Sequence, residues 1–199
     1  MERLLVATTN RGKLEEIAHI LEGIPFEMLT LADFPGVAAP DEIGDSFAEN
    51  ARAKALYYTQ VTGELTVAED SGLAIDALGG APGVESARYG GPLASYPEKF
   101  TLIYGALRSN KALESPARFV CAVALASGRS LLFETEGTIE GRIAASPKGE
   151  GGFGYDPIFY YPAFGATLAE VGSRKSEVSH RGLAFRALRR FLASRDSVL

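Results

Sequence analysis

One acidic residue stands where a strand is predicted to end, a position suited to catalysis. Residues 65–68 form a short apolar run that predicts a buried strand, and Asp70 follows it just before Ser71-Gly72, which predicts a turn. Ligands of α/β proteins bind at the carboxyl ends of strands. Asp70 can there hold a metal ion or accept a proton from an attacking water. An equally good interpretation makes it only the anchor of an Asx-type turn.

A second carboxylate for a metal site is available in the Pro- and Gly-rich loop that precedes the second helix. Asp41, Glu42 and Asp45 cluster in this loop. Because Asp45 and Glu49 can both serve as caps of the helix, Glu42 is the better candidate for a metal ligand. The alternative is that these acids form a solvated surface.

The second helix is predicted to start with a capping box at Ser46 to Glu49 and to end near Thr62. Asn50 and Lys54 lie four residues apart and therefore on one face of this helix. They are either a surface hydrogen-bonding pair or groups that face a triphosphate or a metal ion, and the sequence favours neither interpretation.

The chain begins with a pattern that suits an anion. The apolar run 4–7 predicts a strand, and the helix that follows has Leu14, Ile17 and Leu21 at helical spacing. The amide groups and the dipole at the start of a helix attract phosphate. The candidate phosphate segment is therefore Thr8, Thr9, Asn10, Arg11, Gly12 and Lys13. It lacks the spacing of a Walker A loop, and the alternative is that Asn10 only caps the helix while Lys13 is solvated.

A glycine-rich segment near the carboxyl terminus can bind a base. Phe153, Gly154, Tyr155 and Asp156 lie in or beside the glycine-rich run 149–154. An exposed Phe153 would offer a stacking surface, and Asp156 can bind ribose or base. The alternative is a tight turn whose aromatic side chains return to the core.

The last helix starts with residues that oppose its dipole. Lys175 precedes it, Ser179 is a good N-cap, and His180 and Arg181 fall in the first turn, where cations are disfavoured. Such donors can read the keto group of a purine base. The alternative for Arg181 is a solvated helix start.

Strands and helices alternate in the first part of the chain, and a long hairpin of residues 118–126 and 130–140 follows. This order predicts an α/β protein with a mixed sheet, in two lobes around a cleft. The chain has 199 residues, 46% hydrophobic content, a net charge of −5 and one cysteine, Cys121, in an apolar run. We therefore expect a structural thiol, no nucleic-acid or membrane binding, no signal peptide or membrane span, and a cytoplasmic location.

Several motifs taken together resemble the inosine/xanthosine triphosphate pyrophosphatase family. They cover nearly the whole chain and are Ala7 to Glu16, Phe47 to Ala51 with Lys54-Ala55, Ala68 to Leu73, Pro82 to Val84 with Ser86 to Tyr89, Gly152 to Phe159, and Ser179 to Gly182. The resemblance implies an elongated, mixed α/β sheet with flanking helices that form two lobes around a deep substrate cleft. It also implies one catalytic domain spanning residues 1–199, usually as a homodimer.

The activity implied by the resemblance is Mg²⁺-assisted attack of water at the α-phosphate of ITP, dITP or XTP. The products are the monophosphate and pyrophosphate, and the cellular role is removal of deaminated purine nucleotides. Asp70 is then the proton acceptor and, with Glu42, a metal ligand. The substrate-binding residues are then Thr8 to Lys13, Ser71, Phe153 to Asp156, Lys175, His180 and Arg181.

Two other functions compete with this one. A pyrophosphatase of modified pyrimidine or methylated nucleotides would keep the reaction and change the substrate. A catalytically silent nucleotide-binding module is a rival of another class, against which the joint presence of Lys13, Glu42 and Asp70 argues.

Overall fold

Seven strands form one mixed sheet in the computed structural model, which describes residues 2–195. Their order in the sheet is β2-β1-β3-β4-β5-β6-β7. The strands are β1 (Glu2–Val6), β2 (Phe26–Thr30), β3 (Leu65–Ile75), β4 (Pro116–Ser127), β5 (Ser130–Ile143), β6 (Phe159–Tyr161) and β7 (Ala166–Thr167). β1 is parallel to β2 and β3, whereas β6 is antiparallel to β5 and β7. The predicted mixed α/β sheet is confirmed.

Five helices accompany the strands within the described part of the chain. They are α1 (Arg11–Ile20), α2 (Phe47–Thr62), α3 (Tyr96–Ser109), α4 (Lys175–Val178) and α5 (His180–Arg195). None of them is long and apolar enough to cross a membrane. Residues 196–199, for which the sequence indicates no role, lie outside the described part.

The start of α2 follows from its capping residues. Ser46 Oγ accepts a hydrogen bond from the Glu49 backbone N–H at 3.2 Å, which satisfies one free amide of the first turn. The Glu49 carboxylate accepts from the amide of Asp45 instead of that of Ser46, at 2.9 Å. The expected reciprocal box is therefore wrong in its second half. Gly63 ends the helix in the left-handed region, with φ 77°.

Contacts divide the chain into two compact units. The first holds residues 2–70, 121–137 and 180–195, and the second holds residues 71–120 and 138–179, so that β3, β4 and β5 contribute residues to both. In the second unit, apolar side chains of β3, α3, β5 and β6 form one core, including Leu73, Ile103, Ile143 and Phe159.

Two hydrophobic clusters in the first unit follow from strand alternation. Leu4 and Val6 join the cluster that contains α1 and α5, whereas Leu5 and Ala7 join the one that contains α2. Successive side chains of a strand point to opposite faces of the sheet, which accounts for this division. The cluster at α2 also takes three alanines of β4, at positions 122, 124 and 126. These small side chains suit close packing of the helix on the sheet.

The segment 65–72 differs from its prediction, in which a strand over residues 65–68 is followed by a turn at Ser71-Gly72. β3 runs without interruption through Glu69, Asp70 and Ser71. Gly72 serves close approach rather than a turn, since a Cβ there would lie 2.2 Å from Ser86 Oγ. That hydroxyl accepts a hydrogen bond from the Leu73 amide at 3.0 Å. The Asx-turn interpretation of Asp70 is therefore wrong.

The hairpin β4–β5 agrees with its prediction. Only Gly128 and Arg129 separate the two strands, and Gly128 has φ 59°, as a two-residue antiparallel connection requires. Ile139 is buried, whereas Glu134, Glu136 and Glu140 on the alternate positions are exposed.

Candidate active site

The carboxyl end of β1 fixes where charged residues meet in the first unit. Val6 pairs with Val67 of β3, and the Ala7 amide donates to the Val67 carbonyl at 2.9 Å. β1 then stops while β3 continues, so Glu69 and Asp70 follow directly after the paired region. Polar groups at this edge of a parallel sheet are in the usual position for ligands.

Asp70 is buried and held by two side chains of α2. Asn50 Nδ2 donates to Asp70 Oδ2 at 3.0 Å, and Lys54 Nζ donates to Asp70 Oδ1 at 3.3 Å. Lys54 also donates to Glu42 Oε1 at 2.6 Å. Asn50 Oδ1 accepts from the Gly44 amide at 2.8 Å, which ties the loop carrying Glu42 to α2. The functional interpretation of Asn50 and Lys54 is thus favoured over a surface pair.

Burial and neighbouring charges act against each other in this group. Burial raises the pKa of Asp70, and the charge of Lys54 and the hydrogen bond from Asn50 offset that rise only in part. Burial lowers the pKa of Lys54, but attraction by Asp70 and Glu42 is stronger, so its pKa is raised overall. Lys54 therefore stays protonated between two carboxylates, and Asp70 is a better proton acceptor than an exposed aspartate.

Glu69, which precedes Asp70 in β3, holds a second group of charges. Lys13 Nζ lies 2.5 Å from Glu69 Oε1, and Arg181 Nη2 lies 3.5 Å from Glu69 Oε2. Arg181 Nη1 also donates to Glu16 Oε2 at 2.9 Å. Burial raises the pKa of Glu69, but the charges of Lys13 and Arg181 lower it by more than burial raises it, so Glu69 is ionised at neutral pH. We call the seven residues of both groups the charged cluster: Lys13, Glu16, Glu42, Lys54, Glu69, Asp70 and Arg181.

Cys121 lies against this cluster and is fully buried. Its thiol donates to Glu69 Oε2 at 3.3 Å, and burial together with that carboxylate raises its pKa well above the usual value. A thiol that resists ionisation is a poor nucleophile. The prediction of a buried structural thiol is confirmed.

Lys13 is the one residue of the predicted phosphate segment that belongs to the charged cluster. Asn10 Oδ1 accepts from the Lys13 amide at 3.1 Å and so caps α1, and Thr8 Oγ1 accepts from the Asn10 amide at 3.2 Å. Arg11 is exposed and pairs with Glu15 at 2.7 Å. The other two members, Thr9 and Gly12, are exposed and half-buried.

Asp156 organises the predicted base-binding residues of the second unit. Its Oδ2 accepts from Lys175 Nζ at 2.6 Å and from the Phe153 amide at 2.8 Å. Lys175 Nζ lies 4.4 Å from the centroid of the half-buried Phe153 ring. Gly152 is required here, because its φ is 69° and a Cβ would lie 2.1 Å from Asp156 Oδ2. Phe153, Asp156 and Lys175 thus form one connected set.

Tyr155 belongs to the core of the second unit. It is buried, its hydroxyl donates to the Ser86 carbonyl at 2.8 Å, and its ring packs edge-on against Tyr96. Between it and Phe153, Gly154 has φ 69° and thereby turns the backbone. The alternative of an aromatic that returns to the core therefore holds for Tyr155 and not for Phe153.

The first turn of α5 is buried rather than solvated. Ser179, the residue before the helix, and His180 and Arg181 of its first turn are all buried, and Arg181 is only 1% exposed. Gly137 of β5 permits this packing, since a Cβ there would lie 2.2 Å from the His180 carbonyl oxygen. The interpretation of Arg181 as part of a solvated helix start is therefore wrong.

The sequence indicates no role for Glu69, although the residue stands in a matching motif. Its signal is an acidic residue inside an apolar run, since a buried carboxylate needs a partner. In the sequence the same residue predicts the end of a strand. Ser71, the next predicted substrate contact, is half-buried in β3.

A divalent cation fits the pair Glu42 and Asp70. Both carboxylates already contact one cation, the Lys54 ammonium. Within residues 2–195, no three acidic, His or Cys side chains are arranged to hold a metal ion by themselves. Two carboxylates completed by water and phosphate oxygens are the ligand set typical of Mg²⁺.

Comparison with known proteins identifies the family. The Ham1 family model matches residues 4–191. The chain belongs to the Ham1 family. One relative is the dITP/XTP pyrophosphatase of Geobacter sulfurreducens, which is 46% identical over 95% of this chain and 96% of its own. Another is the dITP/XTP pyrophosphatase of Thermus thermophilus, which is 46% identical over 94% of this chain and 89% of its own. The solved HAM1 protein of Coxiella burnetii has a TM-score of 0.91 and 37% identity, and the match covers 98% of this chain and 100% of that one. The family resemblance read from the motifs is thus confirmed.

Proposed function

We propose that this Ham1-family chain is a nucleoside triphosphate pyrophosphatase that hydrolyses ITP, dITP and XTP to the monophosphate and pyrophosphate. The observation that carries the proposal is the buried Asp70, which has a raised pKa and is held by Asn50 and Lys54. A second lysine, Lys13, forms an ion pair with the preceding residue, Glu69. Two relatives with 46% identity, whose names are dITP/XTP pyrophosphatase, support the substrate class.

In the proposed reaction, Asp70 is the group that accepts a proton from the attacking water. Lys13, Lys54 and the start of α1 meet the phosphates, with Thr8 to Gly12 as further contacts and Ser71 next to Asp70. In this role Asp70 accepts the proton as the oxygen attacks the α-phosphorus, and pyrophosphate leaves with the electrons of the broken bond. Ammonium groups and helix amides stabilise the charge that builds on the phosphates.

Charge balance supports a divalent cation as cofactor, and we propose Mg²⁺. The charged cluster has four carboxylates and three cationic side chains, so it alone does not attract a triphosphate. Glu42 and Asp70 would hold the ion, which when bound neutralises phosphate charge and acidifies water. Displaced from these two carboxylates, Lys54 would be able to turn to a phosphate oxygen.

The base is proposed to bind the connected set of the second unit, Phe153, Asp156 and Lys175. Phe153 offers one ring face, Asp156 and Lys175 offer hydrogen bonds, and Gly154 and Tyr155 complete the segment. His180 and Arg181 are proposed to favour a 6-keto purine over adenine. Their burial implies that they do so partly by shaping the first turn of α5.

A pyrophosphate-release assay over a nucleotide panel tests the function. We expect kcat/KM for ITP, dITP and XTP to exceed that for ATP and dUTP with Mg²⁺ present. Preference for dUTP or a methylated nucleotide would support the rival pyrophosphatase, and no release from any nucleotide would support the silent binding module.

We further propose that residues 1–199 act as one catalytic domain, in a cytoplasmic homodimer. The family match over residues 4–191 supports a single functional module, although the chain forms two compact units. Light scattering of the purified chain measures the dimer, and a monomer at assay concentration would contradict it.

A further inference from the structure

Two cationic side chains of the first unit lie where helix dipoles disfavour them. Lys13 is in the first turn of α1 and Arg181 is in the first turn of α5. A cation at the amino end of a helix is destabilised by the partial positive charge there. Each therefore needs a compensating anion close by.

One buried carboxylate contributes to that compensation at both positions, and Glu16 also accepts from Arg181 Nη1 at 2.9 Å. Glu69 is 2% exposed at its side chain, with Lys13 Nζ at 2.5 Å on one oxygen and Arg181 Nη2 at 3.5 Å on the other. The Cys121 thiol donates to the second oxygen at 3.3 Å. Glu69 thus joins residues of β3, α1, β4 and α5 at one point.

The two cations differ in exposure. The Lys13 side chain is 19% exposed, whereas that of Arg181 is 2% exposed. Lys13 can therefore meet an incoming anion while Glu69 holds its ammonium group from behind. Without Glu69, the dipole of α1 would favour rotamers that carry Lys13 into solvent.

We propose that Glu69 is a positioning residue of the phosphate site, which fixes the Lys13 ammonium and links that position to the first turn of α5 through Arg181. The inference rests on the proposed function, in which Lys13 contacts phosphate. Glu69 acts through Lys13 and touches no substrate atom. Its loss should therefore matter only while Lys13 is present.

A double-mutant cycle of Glu69→Gln and Lys13→Met tests the dependence, with kcat/KM for ITP as the readout. In the wild-type background we expect Glu69→Gln to lower kcat/KM by about 100-fold, the order of loss that misplacing a contact group by about 1 Å produces. In the Lys13→Met background we expect less than about a twofold further loss, because coupled residues are non-additive.

Glu134→Gln is the matched control. Glu134 lies in the same unit and pairs with Arg52 at 2.9 Å, but both side chains are more than one-third exposed. We expect this substitution to leave kcat/KM unchanged in both backgrounds. Thermal unfolding of every variant verifies the folded state. If Glu69→Gln does not fold, Glu69→Asp, which retains the charge but shortens the reach, replaces it in the same cycle.

The outcomes separate the two proposals. Equal losses from the Glu69 substitution in both backgrounds would overturn the positioning role while leaving the pyrophosphatase function intact. Full activity of Lys13→Met would overturn it as well. A wild-type chain that releases no pyrophosphate from any nucleotide would instead remove the proposed function, and the role of Glu69 with it.

Discussion

At the scale of single residues, the environment of Asp70 gives it a chemistry that an exposed aspartate lacks. Burial raises its pKa, and hydrogen bonds from Asn50 and Lys54 fix both carboxylate oxygens. We expect Asp70→Asn to lower kcat for ITP by about 10²- to 10⁴-fold, the range typical of a lost general base. Binding of a non-hydrolysable ITP analogue, measured by calorimetry at saturating Mg²⁺, should weaken far less, because Glu42 and the phosphate oxygens would still hold the ion.

The control for this substitution is Asp41→Asn. Asp41 is exposed in the loop that carries Glu42. It should keep wild-type kcat. If Asp70→Asn turned over ITP as fast as the wild type, Asp70 would have no part in proton transfer.

Arg181 gives a second prediction, which concerns stability. Removing its guanidinium leaves Glu16 and the fully buried Glu69 without that partner. Loss of one member of a buried ionic group costs about 3–5 kcal/mol. We expect Arg181→Ala to lower the free energy of unfolding in urea by that amount. Base preference is therefore better tested with Arg181→Lys, which retains the charge.

Arg11→Ala provides the comparison for Arg181. Arg11 is 91% exposed at its side chain and pairs with Glu15 one turn along α1. Such surface pairs contribute about 0.3–0.5 kcal/mol. Equal losses from the two substitutions would show that the buried network carries no stability of its own.

Residue types were easier to predict from the sequence than their environments. Lys13, Glu42 and Asp70 are predicted site residues because acids and lysines beside predicted strand and helix ends suggest phosphate chemistry, and each of them forms an ion pair in the structure. The ion pairs of Glu69 could not be predicted, since its partners Lys13 and Arg181 are 56 and 112 positions away in the sequence. Long-range pairing of this kind leaves no local pattern.

At the scale of elements, the packing of β5 against α5 depends on one missing side chain. A Cβ at Gly137 would lie 2.2 Å from the His180 carbonyl and 2.8 Å from the Ala184 amide nitrogen. Both are backbone atoms, so the helix itself must move. We expect Gly137→Ala to destabilise the chain by about 1–3 kcal/mol through overpacking, measured by urea unfolding.

Gly105→Ala is the opposite case and serves as its control. Gly105 lies inside α3, and nothing stands within 4 Å of the position of a Cβ there. Alanine should stabilise this helix by up to about 1 kcal/mol. A Gly137→Ala variant as stable as the wild type would mean that α5 does not pack on β5 as closely as described.

The elements themselves followed the sequence closely where local signals are strong. Ser46 and Gly63 mark the ends of α2, and Gly128-Arg129 marks the hairpin, because capping and turn residues act within a few positions. The Ser71-Gly72 signal wrongly predicts a turn within β3. Gly72 is required because Ser86, which the fold brings close, leaves no room for a Cβ there. A contact between residues so far apart in the sequence leaves no local signal.

At the scale of the whole molecule, the charge balance favours nucleotide binding together with the proposed divalent cation. The chain has a net charge of −5, and the charged cluster has one more acid than base. A free triphosphate is therefore repelled by the chain and not strongly attracted by the cluster. A divalent cation at Glu42 and Asp70 would reverse the balance locally, where Coulomb interactions are strongest.

Removal of metal should therefore abolish both turnover and nucleotide-dependent stability. With Mg²⁺ and a non-hydrolysable ITP analogue at 100 times its Kd, stabilisation is about 2.7 kcal/mol, which corresponds to a rise in Tm of roughly 5–10 °C for a chain of this size. With EDTA we expect almost no rise, and turnover should return when Mg²⁺ is restored in excess. Glu42→Gln should require more Mg²⁺ for half-maximal turnover, whereas Asp41→Asn should not. Equal rises in Tm with Mg²⁺ and with EDTA would show that the lysines alone bind the triphosphate, and the carboxylate pair would then have no metal to hold.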